Sequence, residues 1–133
     1  MLRKPVILYV EDNVDDEHLV RRALENAGIG VTLHRVGSVP AARAYLMRTP
    51  PYDDQEWFPI PDMVITDLSG HDLEGSSFDL VEWIRSQPQL QKLKVLCSTG
   101  NEDPKLWERL RALGVHCYTK SHNMRGLVEA IQA

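Results

Sequence analysis

Residues 7–16 read ILYVEDNVDD, and this stretch decides the fold. Ile7, Leu8, Tyr9 and Val10 form an unbroken apolar run with no polar alternation, the pattern of a strand covered on both faces. The run then meets Glu11, Asp12, Asp15 and Asp16, four carboxylates within six residues. Like charges so close repel and resist desolvation, so a strand that ends this way needs a reason. Two are available. Acids in the first turn of a helix are favoured by the helix dipole, and acids at the end of a buried strand can hold a cation.

Outward from this stretch the chain alternates. Short β-branched or apolar runs recur at Val6–Val10, Val31–Val36, Met63–Thr66, Val95–Ser98 and Val115–Tyr118. Between them lie segments of helical period. Asp15 to Ala27 aligns Leu19, Val20, Ala23 and Leu24 and stops at Gly28, a C-cap residue. Ser38 is a good N-cap for a helix through Ala41, Ala44, Tyr45 and Met47. A third helix starts near Ser76 or Ser77 and carries Phe78, Leu80, Val81 and Ile84. Asp103 and Pro104 open a fourth, through Leu106, Leu110 and Leu113 to Gly114. Asn123 to Gln132 forms the last, with Leu127, Val128 and Ile131 on one side.

Five strands alternating with five helices specify parallel βαβ units, a doubly wound α/β sheet with helices on both faces. Thr49 to Pro61, TPPYDDQEWFPIP, breaks the rhythm with four prolines and no period. It reads as an inserted loop pinned by Trp57 and Phe58.

The bulk numbers remove whole classes of function. With 133 residues the chain is of single-domain length, 43% hydrophobic and 26% charged. A net charge of −4 with scattered basic residues does not suit a nucleic-acid or anionic-membrane surface. The first apolar run is too short to span a membrane and is followed at once by acids, so no signal peptide is read there. Cys97 and Cys117 lie in apolar runs and read as buried free thiols of a reducing compartment. A cytoplasmic protein is expected.

In such a sheet, ligands sit beyond the carboxyl ends of the strands, where strand order reverses. Glu11 and Asp12 follow the first strand and Asp67 the third; Ser98 or Thr99 follows the fourth, and Lys120 the fifth. Three converging carboxylates call for a hard cation, and few protein ligands plus waters suit Mg2+ better than Ca2+. A hydroxyl and an ammonium donate hydrogen bonds and suit a phosphate. Together these groups describe phosphoryl transfer to an aspartate. Asp15, Asp16 and Glu17 fall in a helix's first turn and are given no metal role; His18 and His71 are read as neither metal ligands nor phosphohistidines.

The motifs ILYVEDN, DMVITDLS, LEGSSFDLVEWIRS, VLCSTG and GVHCYTKS, in this order and each at its own strand end, resemble the receiver domain of two-component response regulators. The resemblance spans essentially the whole chain. It implies a CheY-like, flavodoxin-like sheet of order 2-1-3-4-5, one domain over residues 1–133 without an output domain, and a switch rather than an enzyme. It implies Asp67 as phosphoacceptor, and Mg2+ held by Glu11, Asp12, Asp67 and the Ser69 backbone carbonyl. Lys120 would pair with the phosphoryl oxygens, and Tyr118 would be the switch aromatic. Counting back from Gly114 makes Thr99 the switch hydroxyl; counting back from Lys120 makes it Ser98, because the segment between these two landmarks is one residue short. Thr99 is preferred. Lys120 is followed by Ser121 where the family usually has proline.

The resemblance further implies a sensor histidine kinase or phosphotransfer protein as donor, a downstream target protein, and a possible dimer through the face from the fourth strand to the last helix. Two rival readings are open. One is a receiver-like interaction module that uses no phosphate. The other is an aspartyl-nucleophile phosphatase of haloacid-dehalogenase type, disfavoured because Ser69 stands where a second acid is needed.

Overall fold

The computed structural model describes residues 4–11, 13–67, 77–99, 104–119 and 124–132. Five strands, β1 (Val6–Val10), β2 (Thr32–Val36), β3 (Met63–Asp67), β4 (Lys94–Thr99) and β5 (His116–Thr119), alternate with α1 (Val14–Asn26), α2 (Val39–Leu46), α3 (Ser77–Ser86), α4 (Pro104–Ala112) and α5 (Arg125–Gln132). All strand pairs are parallel and the sheet order is β2-β1-β3-β4-β5. This is the flavodoxin-like, doubly wound arrangement that the alternating pattern predicts.

The inner strands bury both faces and the edge strands β2 and β5 do so less completely, and the period of two divides the side chains between two cores. Ile7, Tyr9, Leu33, Ile65, Leu96 and Tyr118 pack against Val20 and Leu24 of α1 and Leu127 and Ala130 of α5. Leu8, Val10, Val36, Val64, Val95 and Cys97 pack against the other layer, through Ala42 and Tyr45 of α2, Leu80 and Ile84 of α3, and Leu110 of α4. Burying one such aliphatic side chain contributes about 1.5–3 kcal/mol, so the two faces carry most of the stability.

The helix ends behave as their sequences dictate. Asn13 caps α1, its side-chain oxygen accepting from the Asp15 N–H at 2.8 Å. Ser38 caps α2 by accepting from the Ala41 N–H at 3.1 Å. Gly28 and Gly114 follow α1 and α4 at φ 71° and 73°, the left-handed turn that glycine adopts without strain.

Three expectations need correction. Leu19, aligned with the apolar stripe of α1, is 43% exposed; Val20 and Leu24 alone of that set are fully buried. Cys97 is buried but Cys117 only partly so, both thiols being free. The third correction lies in the loop at 49–61, where Phe58 is the anchor and Trp57 is not. Phe58 meets Tyr52 edge-on at 5.0 Å between ring centroids and Tyr45 at 5.9 Å, with His34 beside them. Tyr45 Oη donates to the Pro59 carbonyl at 2.8 Å, fastening the loop to α2. Trp57, one residue earlier, is 71% exposed. Phe58→Ala should therefore cost about 2–3 kcal/mol in urea unfolding, while Trp57→Ala should stay within about 0.5 kcal/mol. Equal losses would show that both rings hold the loop.

Candidate functional site at the carboxyl edge of the sheet

The acidic turn begins where β1 stops. Glu11 keeps one more ladder bond, its N–H donating to the Val36 carbonyl at 3.0 Å. Its side chain is almost wholly withdrawn from water, at 4% exposure, and Oε1 accepts from the Asn13 N–H at 3.1 Å. A carboxylate buried to that degree needs compensation by donors or a cation. The later acids differ: Asp15 is exposed in the first turn of α1, and His18 is exposed further along the helix.

Strand register defines what stands beside Glu11. Val10 pairs with Thr66, so Glu11 and Asp67 occupy neighbouring positions one step beyond that pair. Asp67 in turn pairs with Ser98, and Ser98 with Tyr118. The four residues form one row across β1, β3, β4 and β5. Thr99 lies in the next row and pairs with Thr119. Ser98 is buried at 2% exposure and Tyr118 at 9%. Positions alternate between faces along a strand, so Ser98 shares the face of Leu96 on the α1/α5 side, opposite to Cys97.

Asp12, Ser69, His71 and Lys120 lie outside the described residues, as do the side chains of Asp67 and Thr99. Among the described residues no three His, Cys, Asp or Glu side chains gather to hold a metal. Glu11 is the one acid of the expected set whose side chain is described, and its donor chemistry fits a hard divalent ion. It is a desolvated carboxylate at the sheet edge with a second acid, Asp67, at the adjacent position.

Sequence reading missed two residues that support this edge. Glu17 accepts from Arg21 Nε at 3.0 Å and from Arg35 Nε at 2.8 Å. Burial pushes its carboxyl upward, but the bonds to Arg21 and Arg35 and their charge outweigh this and hold it below the usual carboxylate range. Arg35 also reaches the Glu11 backbone carbonyl, with Nη1 at 3.0 Å. The Glu17–Arg21 pair, four apart on one helix, was readable from spacing. Nothing local announces that an arginine on β2 will join it.

No protein-family model matches the chain, and no curated protein matches it. Solved structures do, and they are response regulators. The phosphorylated cyanobacterial phytochrome response regulator RcpA is 26% identical, with a TM-score of 0.78 over 98% of this chain and 90% of that one. A response regulator in red light signalling of R. palustris is 25% identical, with a TM-score of 0.82 over 96% and 89%. The Mn2+-bound form of the response regulator Rcp1 is 29% identical, with a TM-score of 0.77 over 96% and 89%.

Proposed function

We propose, for a chain that is a CheY-like receiver domain of the response-regulator kind, that Asp67 accepts a phosphoryl group from the phosphohistidine of a sensor kinase or phosphotransfer protein. The observation that carries this reading is the row Glu11–Asp67–Ser98, which aligns a buried acid, the acceptor and a hydroxyl on three adjacent strands. The Asp67 carboxylate attacks phosphorus, an O–P bond forms, the N–P bond to the donor imidazole breaks, and the imidazole nitrogen takes a proton.

Mg2+ would be held by Glu11, Asp12, Asp67 and the Ser69 carbonyl, where it supplies positive charge that offsets the negative charge gathered on the phosphoryl oxygens. The Mn2+ bound by a similar response regulator supports a divalent ion in this role. Lys120 pairs with the phosphoryl oxygens, and a hydroxyl on β4 donates to them. The register favours Ser98 over Thr99 for that hydroxyl, since Ser98 shares the Asp67 row. Tyr118, next along the row, is the aromatic that responds.

The phosphorylated chain is a switch and not a turnover enzyme. The new dianion draws the hydroxyl and Lys120 inward and shifts the population of packings on the face built by β4, β5 and α5, where a downstream target or a second copy docks. The setting is the cytoplasm, consistent with a described fold in which no helix is long and apolar enough to cross a membrane. Supplying acetyl phosphate with Mg2+ tests the reading: intact mass should rise by one phosphoryl group, and no rise would leave a phosphate-independent interaction module. Within that assay Ser98→Ala should slow the conformational response about tenfold or more, whereas Thr99→Ala should change it less than threefold. The reverse order would return the role to Thr99.

A further inference from the structure

We infer that Arg35, steered by Glu17, is a positioning residue that sets the affinity of the acidic edge for a divalent cation. The inference rests on the cation site proposed above. Arg35 Nη1 donates to the Glu11 carbonyl at 3.0 Å while Nε donates to Glu17 Oε1 at 2.8 Å. The second Glu17 oxygen takes Arg21 Nε at 3.0 Å, and Arg21 Nη2 reaches the Leu33 carbonyl of β2 at 2.8 Å. Four hydrogen bonds therefore tie the turn after β1 to the first turns of α1 and to the edge strand.

The place of attachment matters. Glu11 leaves the ladder here, with its N–H still on the Val36 carbonyl. Anchoring the peptide group before Glu11 by that bond, and the one after it by Arg35, clamps the Cα between them. The clamp limits the directions in which the Glu11 carboxylate can point. The fork is specific to a guanidinium, since one planar group serves both a carboxylate and a carbonyl. Arg35 and Glu17 are mostly shielded, their side chains 27% and 18% exposed, so the pair is screened less than an ordinary surface ion pair.

Charge and placement predict opposite signs. A guanidinium beside carboxylates repels a divalent cation, so removing it on charge grounds should tighten binding. If Arg35 acts by placement, removing it should weaken binding although a like charge has gone. A carboxylate set free to rotate must be reordered each time the ion binds.

The experiment is a calorimetric titration of the whole chain with Mg2+, repeated with Mn2+, for the wild type, Arg35→Gln, Arg35→Lys and Glu17→Gln. Melting curves ensure that every protein is titrated well below its transition. Arg35→Gln is expected to raise the Mg2+ Kd about tenfold, and Glu17→Gln, which frees Arg35 from its steering partner, about threefold. Arg35→Lys should recover part of the affinity, because an ammonium keeps the charge and one of the two bonds. Should Arg35→Gln fail to fold, Arg35→Lys carries the test, because it keeps the charge and loses one of the two bonds, so weaker binding there is due to placement. Unchanged or tighter binding in the folded variants overturns the inference while leaving the proposed function standing. A wild-type chain that binds neither ion removes the cation site itself, and this inference with it.

Discussion

Asp67→Asn should take up no phosphoryl group from acetyl phosphate and Mg2+ under conditions in which the wild-type chain takes up one per molecule. The substitution keeps size and shape, and the β3 backbone bonds to β1 and β4 do not involve the side chain. What changes is chemistry. An amide has no anionic oxygen to attack phosphorus, and Asp67 is the acid whose strand position pairs directly with the Ser98 hydroxyl residue. The expected loss is therefore complete rather than graded. Intact-mass measurement of both proteins decides the matter. Equal mass gain in Asp67→Asn would move the acceptor elsewhere, and Glu11 and Asp12 would be the next acids to replace. If the proposed site gathers Glu11, Asp12 and Asp67, the same substitution removes one of its three negative charges, so the melting temperature without divalent ions should rise above the wild type's. A fall would mean that the carboxylate makes a stabilising bond that outweighs repulsion.

The second large effect lies at the opposite edge of the sheet. Arg85, in the last turn of α3, donates to the Leu113 carbonyl at 2.7 Å and the Gly114 carbonyl at 3.2 Å, just before β5. It also donates to the carbonyls of Gln91 at 3.0 Å and Leu93 at 2.6 Å, just before β4. One guanidinium thus ties together the two connections that lead into β4 and β5. Burial lowers its pKa from the usual arginine range without removing its charge at neutral pH.

Arg85→Ala strands four carbonyls at once. Bonds from a charged donor are worth about 1.5–3 kcal/mol singly and do not add when they share one group, so a loss of about 3 kcal/mol is expected. For a domain of this size that corresponds to a fall of roughly 10 °C in melting temperature. Arg85→Lys should recover less than half, because one ammonium cannot span both connections. A loss under about 1 kcal/mol in urea unfolding would show that water replaces these bonds easily. Phosphoryl uptake below the transition should be unchanged, which separates this role from that of Asp67.

Much of the molecule is legible residue by residue. Val6–Val10 is a strand at its expected bounds because a run apolar at every position suits only a strand buried on both faces. Ser38 and Gly28 end their helices where they must, through a side-chain acceptor and a left-handed φ, and both effects act within four residues. Trp57 and Phe58 were beyond such reading. They are equally apolar neighbours, and only the positions of Tyr45 and Tyr52 decide which ring is covered. Leu19 misleads for a related reason: it sits at the margin of the α1 stripe, where the width of the covering surface decides its burial.

The amino-acid sequence by itself determined that this chain forms a doubly wound parallel sheet and that acids, a hydroxyl and a lysine end its strands. Burial of whole strands and capping of helices are local properties, and local properties are written in order along the chain. The tertiary structure alone decided the rest. It set Ser98, not Thr99, in the Asp67 row, and it brought Arg35 of the edge strand onto Glu17 and the Glu11 carbonyl. The physical reason is the two-residue period of a strand: a slip of one position exchanges its faces, and the register that prevents the slip comes from residues far away in sequence.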